Sequence, residues 1–452
     1  MTASTHAIAQ ALGEIAFHQK LDVRQQQQVS QVVQPPAAVD CVVYPQTQAQ
    51  LSAVVACAQR HQWRILPCGS ATKLGWGGLA QEINLIISTE RLNQLVEHAV
   101  GDLTVTVEAG MKFSVLQKRL AAAGQFLGLD PAYDTQATVG GIVATADAGS
   151  LRQRYGGVRD MCLGLSLVRA DGEIVKAGGR VVKNVAGYDL MKLMSGSFGT
   201  LGIISQVTFR LYPLPEASKT VVLTGGGQAI AQAAATLLAS SLTPTALDFL
   251  SRRVLTSLGM EDFSGLVARF QSLPQSIEQQ TAQLHEIADT LGLQEKLLAE
   301  SAEAHFWQQV QALLWQPTLR GDCTVVCKVG ILPNQAAVYL SALEALAEQY
   351  GLLSTGLIHA GSGLGIVRLS GAMEAVKSAI LTLRSRCEQA DTSSNRTTTQ
   401  QGFLTILEAP ASLKQQLDVW GYSGNALALM RKIKQQFDPQ NILSPGRFIG
   451  GI

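Results

Sequence analysis

Two periods of apolar residues alternate along the chain, and each change of period marks the edge of an element. Over residues 38–69, DCVVYP and WRILP read as short strands around the helix TQAQLSAVVACAQRH, whose apolar residues recur at helical spacing. Thr47 stands where that helix needs an N-cap, and Gln50 follows at capping-box spacing. NLIIS and TVTVEAG are further strands, and FSVLQKRLAAAG is a short helix that Gly124 ends. Upstream, LDVRQQQQVSQVV is an amphipathic helix broken at Pro35-Pro36.

From residue 216 the two periods interleave. TVVLTGGG, ALDFLS, GLVARFQS, DCTVVCKVGIL, LSTGLIHAG and LGIVRLSG read as strands. GQAIAQAAATLLASS, QSIEQQTAQLHEIADTLG, SAEAHFWQQVQALLW and the runs 334–350 and 372–387 read as helices. Short links between them predict an α+β unit, ferredoxin-like in character. DTSSNRTTTQQG, 391–402, reads as a polar surface loop. The predicted organisation is a helical segment 1–37, a domain 38–215, an α+β cap 216–400 and a segment 401–452 that returns to the domain 38–215.

Glycine changes this picture. It concentrates between Thr135 and Pro215, at positions including 140–141, 149, 156–157, 178–179, 199 and 202, with strands such as LGLSLVRA and LGIISQVTFRLYP between. Glycine costs backbone entropy and supplies no side chain to pack. Such density predicts bare main chain laid against a large ligand. A second cluster, PCGSATKLGWGG at 67–78, has the character of an anion nest: Gly69 for the turn, hydroxyls on Ser70 and Thr72, charge on Lys73. It is neither a Walker A loop nor a G-x-G-x-x-G crossover.

Composition narrows the class. Of 452 residues 47% are hydrophobic and 15% charged, so the chain packs a core, and a net charge of +1 gives no case for nucleic acid. The N-terminal twenty residues lack the basic and apolar regions of a secretory signal. Seven scattered cysteines suit a reducing compartment, and the expectation is a cytoplasmic protein with Cys323 and Cys327 as core thiols rather than metal ligands.

The ordered motifs A-T-V-G-G-x-V-A-T, Y-G-G-V-R-D and VVKNVAGYDLMKLMSGSFGTLGII, with FDPQNILSPGRF near the C-terminus, resemble the flavoprotein family of p-cresol methylhydroxylase and vanillyl-alcohol oxidase. Within it the third run is most similar to the FAD-binding E subunit of glycolate oxidase (glycolate dehydrogenase). The resemblance implies a two-part FAD-binding domain under an α+β cap. It places Pro67, Cys68, Gly69, Ser70, Ala71, Thr72 and Lys73 at the diphosphate, and Thr138, Val139, Gly140, Gly141, Ala144 and Thr145 along the diphosphate and flavin. Gly149 and Tyr155 follow as further cofactor-binding candidates, and Gly199, Gly202, Ile203 and Ile204 lie at the adenosine half. Arg447 is expected at the pyrimidine edge of the flavin, although Ser444 stands where the family carries asparagine. Loop 67–78 holds no histidine, so FAD is expected to be non-covalent.

The same resemblance implies three partners in the reaction: a catalytic flavoprotein subunit, an iron–sulfur subunit, and a 2-hydroxy acid handled by the complex, with peripheral association at the inner membrane face through those subunits. Two other readings remain open, a self-sufficient FAD-dependent D-2-hydroxy-acid dehydrogenase and a flavin-free scaffold. Catalytic relatives carry H-x-G-D-G-N in the cap and a later E-H-G-x-G. Here IHAGSGLG keeps His359 and Gly361 but has Ser362 for the acid and Leu364 for the asparagine, and E-H-G-x-G is absent. His359 is therefore expected to be a packed strand-end residue, and no catalytic residue is assigned.

Overall fold

The computed structural model describes residues 5–13, 15–35, 39, 41–180, 187–316, 322–388, 402–422 and 424–452. Residues 181–186 of the glycolate-oxidase-like run and 391–401 of the polar loop lie outside the described residues. The chain forms two compact units: Met1–Gly149, Gly156–Leu214 and Gly424–Ile452 make the first, Ser150–Tyr155 and Pro215–Ser423 the second.

The first unit contains two main sheets. One has the order Phe17–Lys20, Cys41–Tyr44, Leu85–Ser88, Ile65–Cys68, the last three parallel. Parallel neighbours need a crossover, and the helix Gln48–Arg60 supplies it, burying Leu51, Val54, Val55 and Ala58 with Val43, Ile65, Leu85 and Ile87. Thr47 caps this helix, its Oγ1 accepting from the Gln50 amide at 3.1 Å. The box closes one residue early, because Gln50 Oε1 accepts from the Gln46 amide at 2.7 Å. The other sheet is antiparallel, in the order Leu95–Ala99, Thr104–Glu108, Ile203–Arg210, Cys162–Val168, Ile174–Gly178.

The N-terminal segment is not a separate helical piece. Phe17–Lys20 is the edge strand of the four-stranded sheet, and among the described residues of the segment Thr5–Leu12 and Val23–Ser30 are helical. The chain also returns later than expected. Phe403–Glu408 pairs with Cys323–Gly330 in the second unit, so the return begins at residue 424.

The second unit is an eight-stranded antiparallel sheet. Alternate residues of a strand face opposite sides. Val221, Leu223, Leu247, Phe249, Phe270, Val325, Cys327, Ile358 and Val367 point to a shared core with the helices Gly227–Ala239, Pro274–Thr290, Ala336–Gln349 and Met373–Glu388. Cys323 and Cys327 belong to that core, and burial pushes the Cys327 thiol up to about 12. The strand Gln294–Ala299 and the helix Arg252–Ser257 escape the sequence reading; the strand is an edge, mostly exposed, with no apolar face to announce it.

Candidate functional site

The strand Ile65–Cys68 delivers the chain into the turn Gly69–Lys73. Ala71 adopts a left-handed φ of +62°, which curls the turn. The amides of Ser70, Ala71, Thr72 and Lys73 donate to no other described residue. Successive free N–H groups on a right-to-left turn form a concave anion-binding surface.

The second glycine strip meets this turn. A Cβ built on Gly69 would lie 1.9 Å from Thr138 Oγ1, so only glycine permits the contact. Ser70 Oγ donates to the Gln136 carbonyl at 2.5 Å. Thr138 then caps a seven-residue helix, Val139–Thr145, its Oγ1 accepting from the Gly141 amide at 3.4 Å. Strip 138–145 is thus a capped helix, Val139–Thr145, in a stretch where the glycine density alone predicted no helix. A third wall, Phe198–Ile204, is tied to that helix by the Phe198 amide on the Ala144 carbonyl at 2.8 Å and the Gly196 amide on the Val143 carbonyl at 3.0 Å.

These three walls enclose a cleft within the first unit. Pro67, Cys68, Gly69, Ser70, Ala71, Thr72, Lys73, Thr138, Gly140, Gly141, Ala144, Thr145, Gly199, Gly202, Ile203, Ile204 and Arg447 line it. Leu74, Thr89 and Phe198 line it too and were not foreseen. Phe198 lies among Gly196, Gly199 and Gly202, which was the readable signal, and takes a left-handed φ of +54°. Three expected residues lie elsewhere. Val139 is buried, its amide on the Met111 carbonyl. Gly149 packs on Asp130, which accepts from its amide at 3.1 Å. Tyr155 ends a short helix, Arg152–Tyr155, that packs on the second unit's strand Ala246–Leu250.

Two charged residues that line the cleft also have protein partners. Lys73 is buried, with its ammonium 3.0 Å from Asp147 Oδ2, 3.1 Å from the Ala132 carbonyl and over the Trp76 ring. Its charge is balanced by Asp147, which follows the helix Val139–Thr145. Arg447 is 4% exposed, and both terminal nitrogens donate at 2.8 Å, to the carbonyls of Leu74 and Gly78. Burial lowers its pKa to about 10. The guanidinium therefore fastens the chain after the anion turn. Burial also pushes the Cys68 thiol up to about 12, so it stays protonated at neutral pH.

In the second unit, His359 is buried, as expected, but it has a partner. Its Nδ1 lies 2.5 Å from Oδ1 of Asp248, the residue opposite it on the neighbouring strand. Asp248 is fully buried and its Oδ2 has no hydrogen-bond partner among the described residues.

Residues 39–178 match the family model for an FAD binding domain, and residues 215–379 and 416–448 match the C-terminal domain of FAD linked oxidases. The chain is an FAD-linked oxidoreductase. Glycolate oxidase subunit GlcD of Bacillus subtilis is 28% identical over 90% of the oxidoreductase and 88% of its own length. Mitochondrial D-lactate dehydrogenase (cytochrome) of Arabidopsis thaliana is 26% identical over 91% and 73%. Glycolate oxidase subunit GlcE of Escherichia coli is more similar locally, 39% identical, but over only 27% of the oxidoreductase and 36% of GlcE. The specific likeness to the E subunit is therefore confined to about a quarter of the chain, whereas the D-subunit and D-lactate dehydrogenase likeness runs nearly end to end. Among solved structures, p-cresol methylhydroxylase superposes with a TM-score of 0.73 at 15% identity, covering 97% of the oxidoreductase and 95% of that chain. The 4-ethylphenol oxidase of Gulosibacter chungangensis gives 0.75 at 15%, covering 98% and 97%. The FAD-linked oxidoreductase has the fold of that flavoprotein family. No helix among the described residues is long and apolar enough to cross a membrane.

Proposed function

We propose that this chain is the FAD-bearing subunit of a 2-hydroxy-acid dehydrogenase assembly, partnered by a catalytic flavoprotein subunit and an iron–sulfur subunit, with glycolate as the expected substrate. The observation that carries the cofactor part is the row of four amides at 70–73 with no partner among the described residues, in a turn that lines one cleft with Thr138. A diphosphate is the anion of that size and charge, and FAD would lie with it on Ser70–Thr72, Gly140, Gly141, Ala144 and Thr145. Its adenosine half would run along Gly199–Ile204. FAD supplies, when bound, a two-electron acceptor. The chain's own contribution is binding, orientation and exclusion of water. Arg447 acts by holding Leu74 and Gly78, so the turn before them keeps its shape. With no histidine in loop 67–78, we expect the cofactor to be held without a covalent bond.

The substrate part rests on the relatives, which include glycolate oxidase subunits and D-lactate dehydrogenases. The subunit reading rests on the cap, where Ser362 and Leu364 stand at positions that hydroxy-acid-oxidising relatives fill with acid and amide.

One observation favours the self-sufficient dehydrogenase instead. Asp248 fixes the ring of His359, and a neutral imidazole that donates from Nδ1 to the carboxylate has an Nε2 lone pair, which a proton acceptor for a substrate hydroxyl requires. Anaerobic mixing with glycolate or D-lactate separates the two readings. Flavin absorbance of the chain alone stays constant if it is a dependent subunit, and bleaches if it oxidises the substrate itself. Purified protein devoid of flavin and unable to take it up overturns both.

A further inference from the structure

The C-terminal part of the first unit carries a buried ion pair that belongs to no wall of the cleft, yet touches one of them directly and the strand feeding another through the backbone it holds. Lys434 lies in the helix Leu427–Phe437 and is the one residue of that helix that is buried. Its Nζ donates to Asp438 Oδ2 at 2.6 Å, to the Leu443 carbonyl at 2.8 Å and to the Thr200 carbonyl at 2.9 Å. An ammonium has three protons, and all three are used. Asp438 is 1% exposed; Oδ1 accepts from the Ile442 amide at 3.0 Å and Oδ2 from the Leu443 amide at 2.7 Å.

The pair thus shapes residues 438–444 into a strap. The strap is zipped to the strand that feeds the anion turn: the Ile65 amide donates to the Ile442 carbonyl at 2.7 Å, and the Ser444 amide to the Ile65 carbonyl at 2.9 Å. On its other side, Lys434 reaches Thr200, inside the Gly199–Ile204 wall. Gly199 shows how close the parts come, since a Cβ there would lie 2.7 Å from Pro67 Cγ and 3.3 Å from Ser444 Oγ.

A buried lysine is a costly way to bridge two carbonyls. Desolvation lowers its pKa, against the opposing pull of Asp438. Buried pairs are often replaceable by apolar side chains without loss of stability. An apolar side chain, however, offers the Thr200 carbonyl no donor, and leaves the spacing between the wall and the strap unset.

We infer that Lys434, held by Asp438, is a positioning residue of the dinucleotide cleft: it sets the distance between the Gly199–Ile204 wall and the strand leading into the anion turn, and FAD affinity depends on it. This rests on the FAD reading above. The test is FAD titration of deflavinated full-length protein, followed by flavin fluorescence and visible circular dichroism, for wild type, Lys434→Met, Lys434→Arg and the double variant Lys434→Met/Asp438→Asn. The double variant leaves no unpaired buried charge, so it separates positioning from misfolding. It still removes an acceptor from one strap amide and a donor from the Thr200 and Leu443 carbonyls, so its flavin-free melting temperature is expected to fall. Read at a temperature where it is fully folded, its FAD binding is expected to weaken about tenfold or more, with a changed flavin dichroism. Lys434→Arg, which keeps the charge but not the short triple contact, is expected to fall between. Wild-type FAD affinity in the folded double variant overturns the inference and leaves the FAD reading standing. Equal loss of melting temperature and no change in affinity assigns the pair a purely structural role and also overturns it. Failure of the wild type to bind FAD sinks the FAD reading itself.

Discussion

Gly69 and Thr138 occupy each other's space: the hydroxyl oxygen of Thr138 sits where a side chain on residue 69 would begin, 1.9 Å from the ideal Cβ. Two glycine-rich stretches, remote in sequence, are therefore pressed together main chain to side chain. The same hydroxyl caps the helix Val139–Thr145, so the contact fixes the anion turn and the helix start at once.

Gly69→Ala forces Thr138 to move and uncaps the helix. Overpacking of this kind costs about 1–3 kcal/mol. The expected outcome is a lower melting temperature together with loss of most bound flavin. Full flavin content with an unchanged melting temperature would remove the contact from its central place.

Gly140→Val reports on something different. A Cβ at residue 140 would lie 2.7 Å from the Ala109 Cβ and 3.0 Å from the Ala109 carbonyl, so the added side chain meets protein and not cofactor space. The Gly140 amide also bonds that carbonyl at 2.7 Å. Destabilisation is expected in flavin-free and flavin-loaded protein alike, again by about 1–3 kcal/mol. A melting temperature that drops only in the loaded form would show that the side chain meets the flavin instead.

Acid precipitation of flavin-loaded protein is expected to leave a colourless pellet and a yellow supernatant. A pellet that keeps its absorbance and fluorescence points to a covalent bond, with Cys68 the first residue to examine, because it lines the cleft.

His359→Leu leaves the buried carboxylate of Asp248 without its partner. Breaking a buried pair from one side costs on the order of 3–5 kcal/mol, and chemical denaturation should show it. The double variant Asp248→Leu/His359→Leu should recover most of the loss. Substrate oxidation by the whole assembly is expected to survive in the double variant if chemistry lies in a partner subunit, and to vanish if His359 is the base.

Alkaline pH should weaken the fold through its buried thiols. Burial holds Cys68, Cys162 and Cys327 at about 12, against 9.0 for a free thiol. The folded state therefore binds these protons more tightly than the unfolded state. Their contribution is complete below pH 9 and is lost as pH rises towards 12. Urea unfolding at pH 8, 9.5 and 11 checks this; a Cys162→Ala/Cys327→Ala variant should fall less steeply over that range, and an equally steep fall rejects thiol ionisation as the cause.

Much of the first unit was legible because its signals are local. Strand, helix and strand between Cys41 and Cys68 follow from period and one cap residue, and the anion turn from Gly69 with its flanking hydroxyls. Helix 139–145 was not legible, since V-G-G-I-V-A-T has no polar face and, apart from Ala144, only poor helix formers, and tertiary bonds from Phe198 and to Ala109 hold it. The buried ion pair of Lys73 was not legible for a related reason. Its partner Asp147 lies across the fold, and no spacing rule links the two. Lys434, Asp438 and the Asp248–His359 pair were invisible for the same cause: each is an ordinary residue until topology supplies what it faces. Tyr155 shows the reverse error, a residue of the Y-G-G-V-R-D motif that closes the second unit's segment Ser150–Tyr155 while the rest of the motif belongs to the first unit.

Arg447 joins Leu74 across 373 residues of chain, and Lys434 joins Thr200 across 234. Loop closure over such spans is slow relative to hairpins and helices. During synthesis the greater part of the first unit must wait, unfinished, while the entire second unit is made and folded. A nascent chain halted anywhere before residue 434 is then expected to be an empty vessel that leaks its cofactor, and deflavinated refolding should show cofactor capture as a late phase.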